Sequence, residues 1–74
     1  MEKYLSVVEK TGTGYSAYSP DLIGCVATGK TRDEVEREMQ CAISFHLEGM
    51  ARSGVTIPAP HTYSAYVEVP VQPR

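Results

Sequence analysis

The chain has 74 residues, 42 % of them hydrophobic, with two cysteines and a formal net charge of −2. That hydrophobic content argues for folding over disorder, and the length allows one small core, so residues 1–74 are read as a single domain. The charge offers no basic stripe for nucleic acid, no apolar run approaches a membrane span, and no leader pattern opens the chain; a cytoplasmic protein with Cys25 and Cys41 as free thiols is expected.

In chain order, Tyr4–Glu9 forms the first expected strand. Thr11-Gly12-Thr13-Gly14 reads as a tight hairpin turn whose glycines are free to take positive φ. Tyr15–Ser19 returns as an antiparallel second strand. Ser19-Pro20-Asp21 turns the chain, because Pro presets φ and Asp bonds nearby backbone. Leu22 and Ile23 are apolar within this loop and are expected to tuck under it. Gly24–Thr28 is the third strand.

The helix carries the clearest signal. Thr31 suits an N-cap, and Glu34 three residues later completes a capping-box pattern. Asp33, Glu34 and Glu36 place negative charge where the helix dipole favours it. Val35, Met39, Ile43, Leu47 and Met50, with Ala42 and His46, recur at three- and four-residue steps and form one apolar stripe. Arg52 suits the C-terminal dipole and Gly54 is a natural stop. Pro58 and Pro60 bracket a stiff connection, and Tyr63–Val69 alternates as a last strand. The resulting fold class is α+β, in the order β-β-β-α-β. A right-handed crossover places the last strand parallel to the first in a four-stranded mixed sheet of order 3-2-1-4, with one helix on one face.

One helix covers one sheet face, so the other meets water or a partner, and a domain this small is a candidate for homo-oligomerisation, as a dimer or tetramer. The five tyrosines lie in or beside strands. Tyr15 and Tyr18 face opposite sides of strand 2 under strict alternation, so at least one points away from the helix. Cys41 and Phe45, four apart, fall off the apolar stripe, and Phe45 is a candidate anchor for a neighbouring chain.

Gly24-Cys25-Val26-Ala27-Thr28-Gly29-Lys30-Thr31 matches the phosphate-loop pattern G-x-x-x-x-G-K-[ST]. A phosphate loop needs backbone that curls around phosphates, whereas Val, Ala and Thr fit an extended strand. Nucleotide binding through Gly24–Thr31 is therefore set aside. His46 reads as a half-buried structural histidine, and it and His61 lack the clustered acid or thiol of a zinc site. No serine has an evident base neighbour. No cofactor, metal or catalytic residue is assigned.

Residues 14–50, GYSAYSPDLIGCVATGKTRDEVEREMQCAISFHLEGM, resemble the HicB family of antitoxins. The resemblance rests on the tyrosine-rich second strand, the Ser-Pro-Asp-Leu-x-Gly-Cys turn, the Gly-Lys-Thr-x-x-Glu helix start and the His-Leu-Glu-Gly helix end. Ile23 stands where the family usually has Pro. The resemblance implies a partial ribonuclease-H-like fold and a non-catalytic antitoxin that neutralises HicA, a small toxin that cleaves messenger RNA. Ribonuclease-H chemistry would need carboxylates converging on two metals, and the middle of strand 1 holds Ser6, Val7 and Val8 instead. Many members carry a further DNA-binding segment; none follows the last strand here, so direct DNA binding is not expected. An orphan oligomer without a toxin is the alternative. Tyr15, Tyr18, Asp21, Leu22, Ile23 and Phe45 are the candidate partner-binding residues.

Overall fold

The computed structural model describes residues 2–72. Three short strands, β1 (Val7–Lys10), β2 (Tyr15–Tyr18) and β3 (Val26–Gly29), precede one helix, α1 (Arg32–Arg52). The strands form an antiparallel sheet of order β1-β2-β3. Its register runs from Val7 opposite Tyr18 to Lys10 opposite Tyr15, and from Tyr15 opposite Gly29 to Tyr18 opposite Val26.

The hairpin between β1 and β2 closes where the sequence places it, with Thr11 N–H donating to Gly14 O at 2.8 Å. Its mechanism differs from the expectation. Neither Gly12 nor Gly14 has positive φ, and the Thr11 hydroxyl oxygen instead accepts from Gly14 N–H at 3.1 Å. A side-chain acceptor closes the turn that a left-handed glycine was expected to supply.

Two consecutive β-turns connect β2 to β3. Leu22 N–H donates to Ser19 O, and Cys25 N–H donates to Leu22 O, both at 3.1 Å. The second turn takes up residues 22–25 and delays β3 to Val26. Ser19 is buried, and its hydroxyl donates to Leu5 O at 2.9 Å, fixing the loop to the residues before β1.

Helix α1 begins and ends as its sequence dictates. The Thr31 side chain accepts from Glu34 N–H at 3.1 Å. The Glu34 carboxylate reaches back one residue further than a capping box, to Lys30 N–H at 2.8 Å. At the other end Gly54 has φ +71°, and Gly54 and Val55 N–H groups donate to Ala51 and Met50 carbonyls. That pair of bonds is a Schellman cap, which requires the left-handed conformation glycine takes most easily. The Glu48–Arg52 pair, 3.9 Å apart and exposed, adds little.

The helix lies on the face of the sheet that carries Ala17. Val35, Met39, Ala17, Leu22 and Cys25 form the buried core. Tyr15, Ile43, Leu47 and Met50 pack partly against it. Gly29 lies directly under the first helical turn: a Cβ there would stand 2.5 Å from Val35 N and 2.8 Å from its Cα. The missing side chain lets strand and helix backbones approach.

The expected fourth strand is absent, and with it the four-stranded sheet of order 3-2-1-4 and its crossover; the described residues are β-β-β-α followed by an irregular segment. The chain beyond α1 is tied at two points, one at Tyr4 before β1 and one at Asp21 in the loop between β2 and β3. Tyr4 hydroxyl donates to Pro58 O at 2.7 Å, and Asp21 holds His61 and Thr62. After Thr62 the segment leaves the body. Tyr63, Tyr66, Val67, Val69 and Val71 are exposed, and the molecule measures 56 × 28 × 20 Å. Apolar alternation identifies backbone that is extended; whether it pairs depends on where its anchors send it.

Candidate protein-binding surface

Alternation along paired strands sorts the sheet into two faces. Val8, Ala17 and Ala27 share one row, on the helix side with buried Ala17. The adjacent row of Val7, Tyr18 and Val26 points the other way. Tyr18 is 45 % exposed and Val26 64 % exposed. A second outward row, Glu9, Ser16 and Thr28, is polar. The helix-free face thus carries an apolar row centred on a tyrosine beside a polar one. A Tyr ring offers a large apolar area with a hydrogen-bonding tip, a combination enriched in protein interfaces.

The other candidate residues separate. Tyr15 is half-buried on the helix side, so the two tyrosines of β2 do face opposite ways. Ile23, 93 % exposed, projects from the second turn, beside a depression lined also by His46, Met50 and Pro58. Phe45, 73 % exposed, borders a neighbouring depression on the far side of His46 and Met50. Ile23 and Phe45 therefore flank the C-terminal half of α1 and belong to a different patch from Tyr18.

Leu22 and Asp21 have internal tasks. Leu22 is 1 % exposed and part of the core. The Asp21 side chain is 1 % exposed and works as a bracket. Its Oδ2 accepts from the backbone N–H of His61 and of Thr62, each at 3.1 Å. Its Oδ1 accepts from the Thr62 hydroxyl at 2.6 Å and lies 3.2 Å from His61 Nδ1. The Thr62 hydroxyl bond holds the carboxyl below the usual aspartate range; the Thr62 and His61 amides and the His61 charge act the same way, and burial opposes them. These bonds span about forty residues and left no trace in local sequence pattern; Asp21 read as a turn former.

The Gly24–Thr31 stretch is no phosphate cradle. Val26–Gly29 is strand β3, paired to β2, so those residues lie extended in the sheet. Among the described residues, no three His, Cys, Asp or Glu side chains cluster to hold a metal ion. Cys25 is buried, and burial pushes its thiol pKa up; Cys41 is exposed on α1. No helix among the described residues is long and apolar enough to cross a membrane.

Comparison with known proteins points one way. Residues 4–71 match the family described as HicB-like antitoxin of bacterial toxin-antitoxin system. An uncharacterized 14.9 kDa protein from the rep-hol intergenic region of Haemophilus phage HP1 is 34 % identical over 67 residues, covering 90 % of this chain and 50 % of its own length. A UPF0150 protein of Helicobacter pylori is 43 % identical over 42 residues, covering 57 % of this chain and 58 % of its own. Among solved structures, a chain of a HicA3 and HicB3 toxin-antitoxin complex superposes with a TM-score of 0.66 at 28 % identity, covering 76 % of this chain and 65 % of that one. The chain spans 50 % and 58 % of the length of the two curated relatives it matches.

Proposed function

This chain belongs to the HicB-like antitoxins of bacterial toxin–antitoxin systems, and from that premise we propose that it binds and neutralises a HicA-type, messenger-RNA-cleaving toxin as a non-catalytic homo-oligomer. The family match over residues 4–71 carries the reading. The likeness to a chain from a HicA3 and HicB3 complex supports a HicA-type partner.

The helix-free face is the proposed contact. Tyr18 is its anchor, with Val7 and Val26 beside it in one cross-strand row. Neutralisation needs only that this face cover the toxin's working surface, so no reacting group is required of this chain. The patch of Ile23 and Phe45 serves as a secondary contact, and Tyr15, Asp21 and Leu22 shape the body behind both surfaces.

The test is capture of a small basic protein from the native lysate, assayed for RNA cleavage. Adding this chain back in equimolar amount is expected to silence that cleavage. Tyr18→Ala, at a side chain outside the core, is expected to weaken the complex by about tenfold or more while leaving the circular dichroism spectrum unchanged. Cleavage that continues at equimolar chain would overturn the antitoxin reading. Unaltered affinity of the folded Tyr18 variant would overturn the assignment of the face.

A further inference from the structure

The segment after Thr62 and the groove beside β1 are two unsatisfied surfaces on one molecule. From Tyr63 onward the odd positions Tyr63, Ala65, Val67, Val69 and Val71 share one side of an extended backbone. Tyr63, Val67, Val69 and Val71 are 68–88 % exposed. A row of large apolar side chains standing in water is unusual for a soluble chain and marks a surface made to be covered. The groove is its counterpart. It holds about 420 Å³ between the even-numbered residues of the N-terminal segment, Tyr4, Ser6 and Val8, and the helix residues Met39, Ile43 and Leu47. Its lining is mainly apolar, and it opens along the edge of β1 that β2 does not pair.

Both surfaces sit on a defined frame. Asp21 brackets His61 and Thr62, and Tyr4 ties Pro58, so the exit of the arm is set beside the groove. From there the arm travels outward. Ten further residues of extended chain reach about 33 Å, which accounts for a long axis of 56 Å on a body 28 Å across. The arm's own body leaves its apolar side bare, while an identical body supplies the matching groove.

We propose that two copies of this chain exchange their C-terminal arms, residues 63–71 of each lying in the β1–α1 groove of the other. The exchange is reciprocal and closes on itself under a two-fold axis, which limits assembly to a dimer and prevents open fibres. Nine arm residues and the ten that line the groove bring each copy close to the ~20–30 residues a side of a stable interface. The sheet of each copy stays three-stranded; the arm's place is the partner's groove. This inference rests on the homo-oligomer part of the proposed function and is independent of toxin binding.

Sedimentation equilibrium of the 74-residue chain tests it, with Val67→Lys altering the arm and Val8→Lys altering the groove. Both positions are exposed in a single copy, 78 % and 37 %, so each variant is checked for native circular dichroism and retains it. The unaltered chain is expected to be a dimer. Each variant alone is expected to associate about a hundredfold more weakly, because a lysine would enter an apolar joint. An equimolar mixture of the two is expected to recover association, since the unaltered arm of one finds the unaltered groove of the other. A monomeric unaltered chain overturns both the exchange and the homo-oligomer reading. A dimer that survives Val67→Lys overturns the exchange alone. Two monomeric variants that do not rescue each other show the arm in its own groove, which also overturns it.

Discussion

Gly29→Ala tests the account of how strand and helix meet. The added methyl carbon would stand 2.5 Å from Val35 N, 2.8 Å from its Cα and 3.0 Å from its Cβ. Two of these atoms are helix backbone, and Val35 is fully buried, so no side chain can swing aside to make room. The first turn of α1 must shift away from β3, loosening the contacts of Val35 with the core. Overpacking of this kind costs about 1–3 kcal/mol. A chain of this length has about 4–11 kcal/mol of total stability. At ~4–8 °C per kcal/mol for domains of this size, the expected fall in Tm is roughly 4–24 °C. The assay is thermal unfolding followed by circular dichroism at one fixed protein concentration, because self-association makes Tm concentration-dependent. Gly12→Ala is the matched control, since nothing lies within 4 Å of its Cβ position. It is expected to be neutral or slightly stabilising through the unfolded chain. A Gly29 variant as stable as the Gly12 variant would refute the close-approach argument. The close approach of Gly29 to Val35 and the Thr31 cap also account for the phosphate-loop spelling here: its second glycine serves packing, and its threonine caps a helix.

Two further outcomes follow from side-chain bonds. Thr31→Ala removes the acceptor of Glu34 N–H and is expected to cost about 1 kcal/mol, read by urea denaturation, whereas Thr31→Asp should retain most of the stability. Asp21 has a folded pKa depressed below its ordinary 3.8, so its stabilisation is present above that value and is lost as pH falls through the lower folded pKa. The His61 and Thr62 amide resonances should therefore move together in acid below pH 3.8, and that movement should vanish in Asp21→Asn; amides indifferent to both acid and substitution would contradict the bracket.

What the sequence made legible was local. The helix announced its cap, its stripe and its glycine stop, and each lies where those residues place it. Strand alternation placed Tyr15 and Tyr18 on opposite faces correctly. What stayed hidden needed partners distant in the chain. Tyr63–Val69 has the alternation of a strand, but alternation is a property of the segment, and pairing is a property of its surroundings. Asp21 satisfied a turn pattern completely, so nothing local hinted that its carboxylate holds Thr62. Leu22 and Ile23 were alike as letters; the two-turn loop sends one into the core and the other into solvent.

The Asp21 bracket also has a topological consequence. It joins positions 41 apart along the chain, and β3 and α1 lie wholly between them. Strand, helix and connection therefore form a ring closed by hydrogen bonds in place of a covalent link. Traction on the C-terminus loads the bracket before it loads the helix, so mechanical unfolding from that end opens the ring first and frays α1 second. A protease working on the arm of a single, undimerised copy, where Tyr63, Val67 and Val71 are exposed, meets the same boundary, and trimming is expected to halt near Thr62 for as long as the ring stays shut.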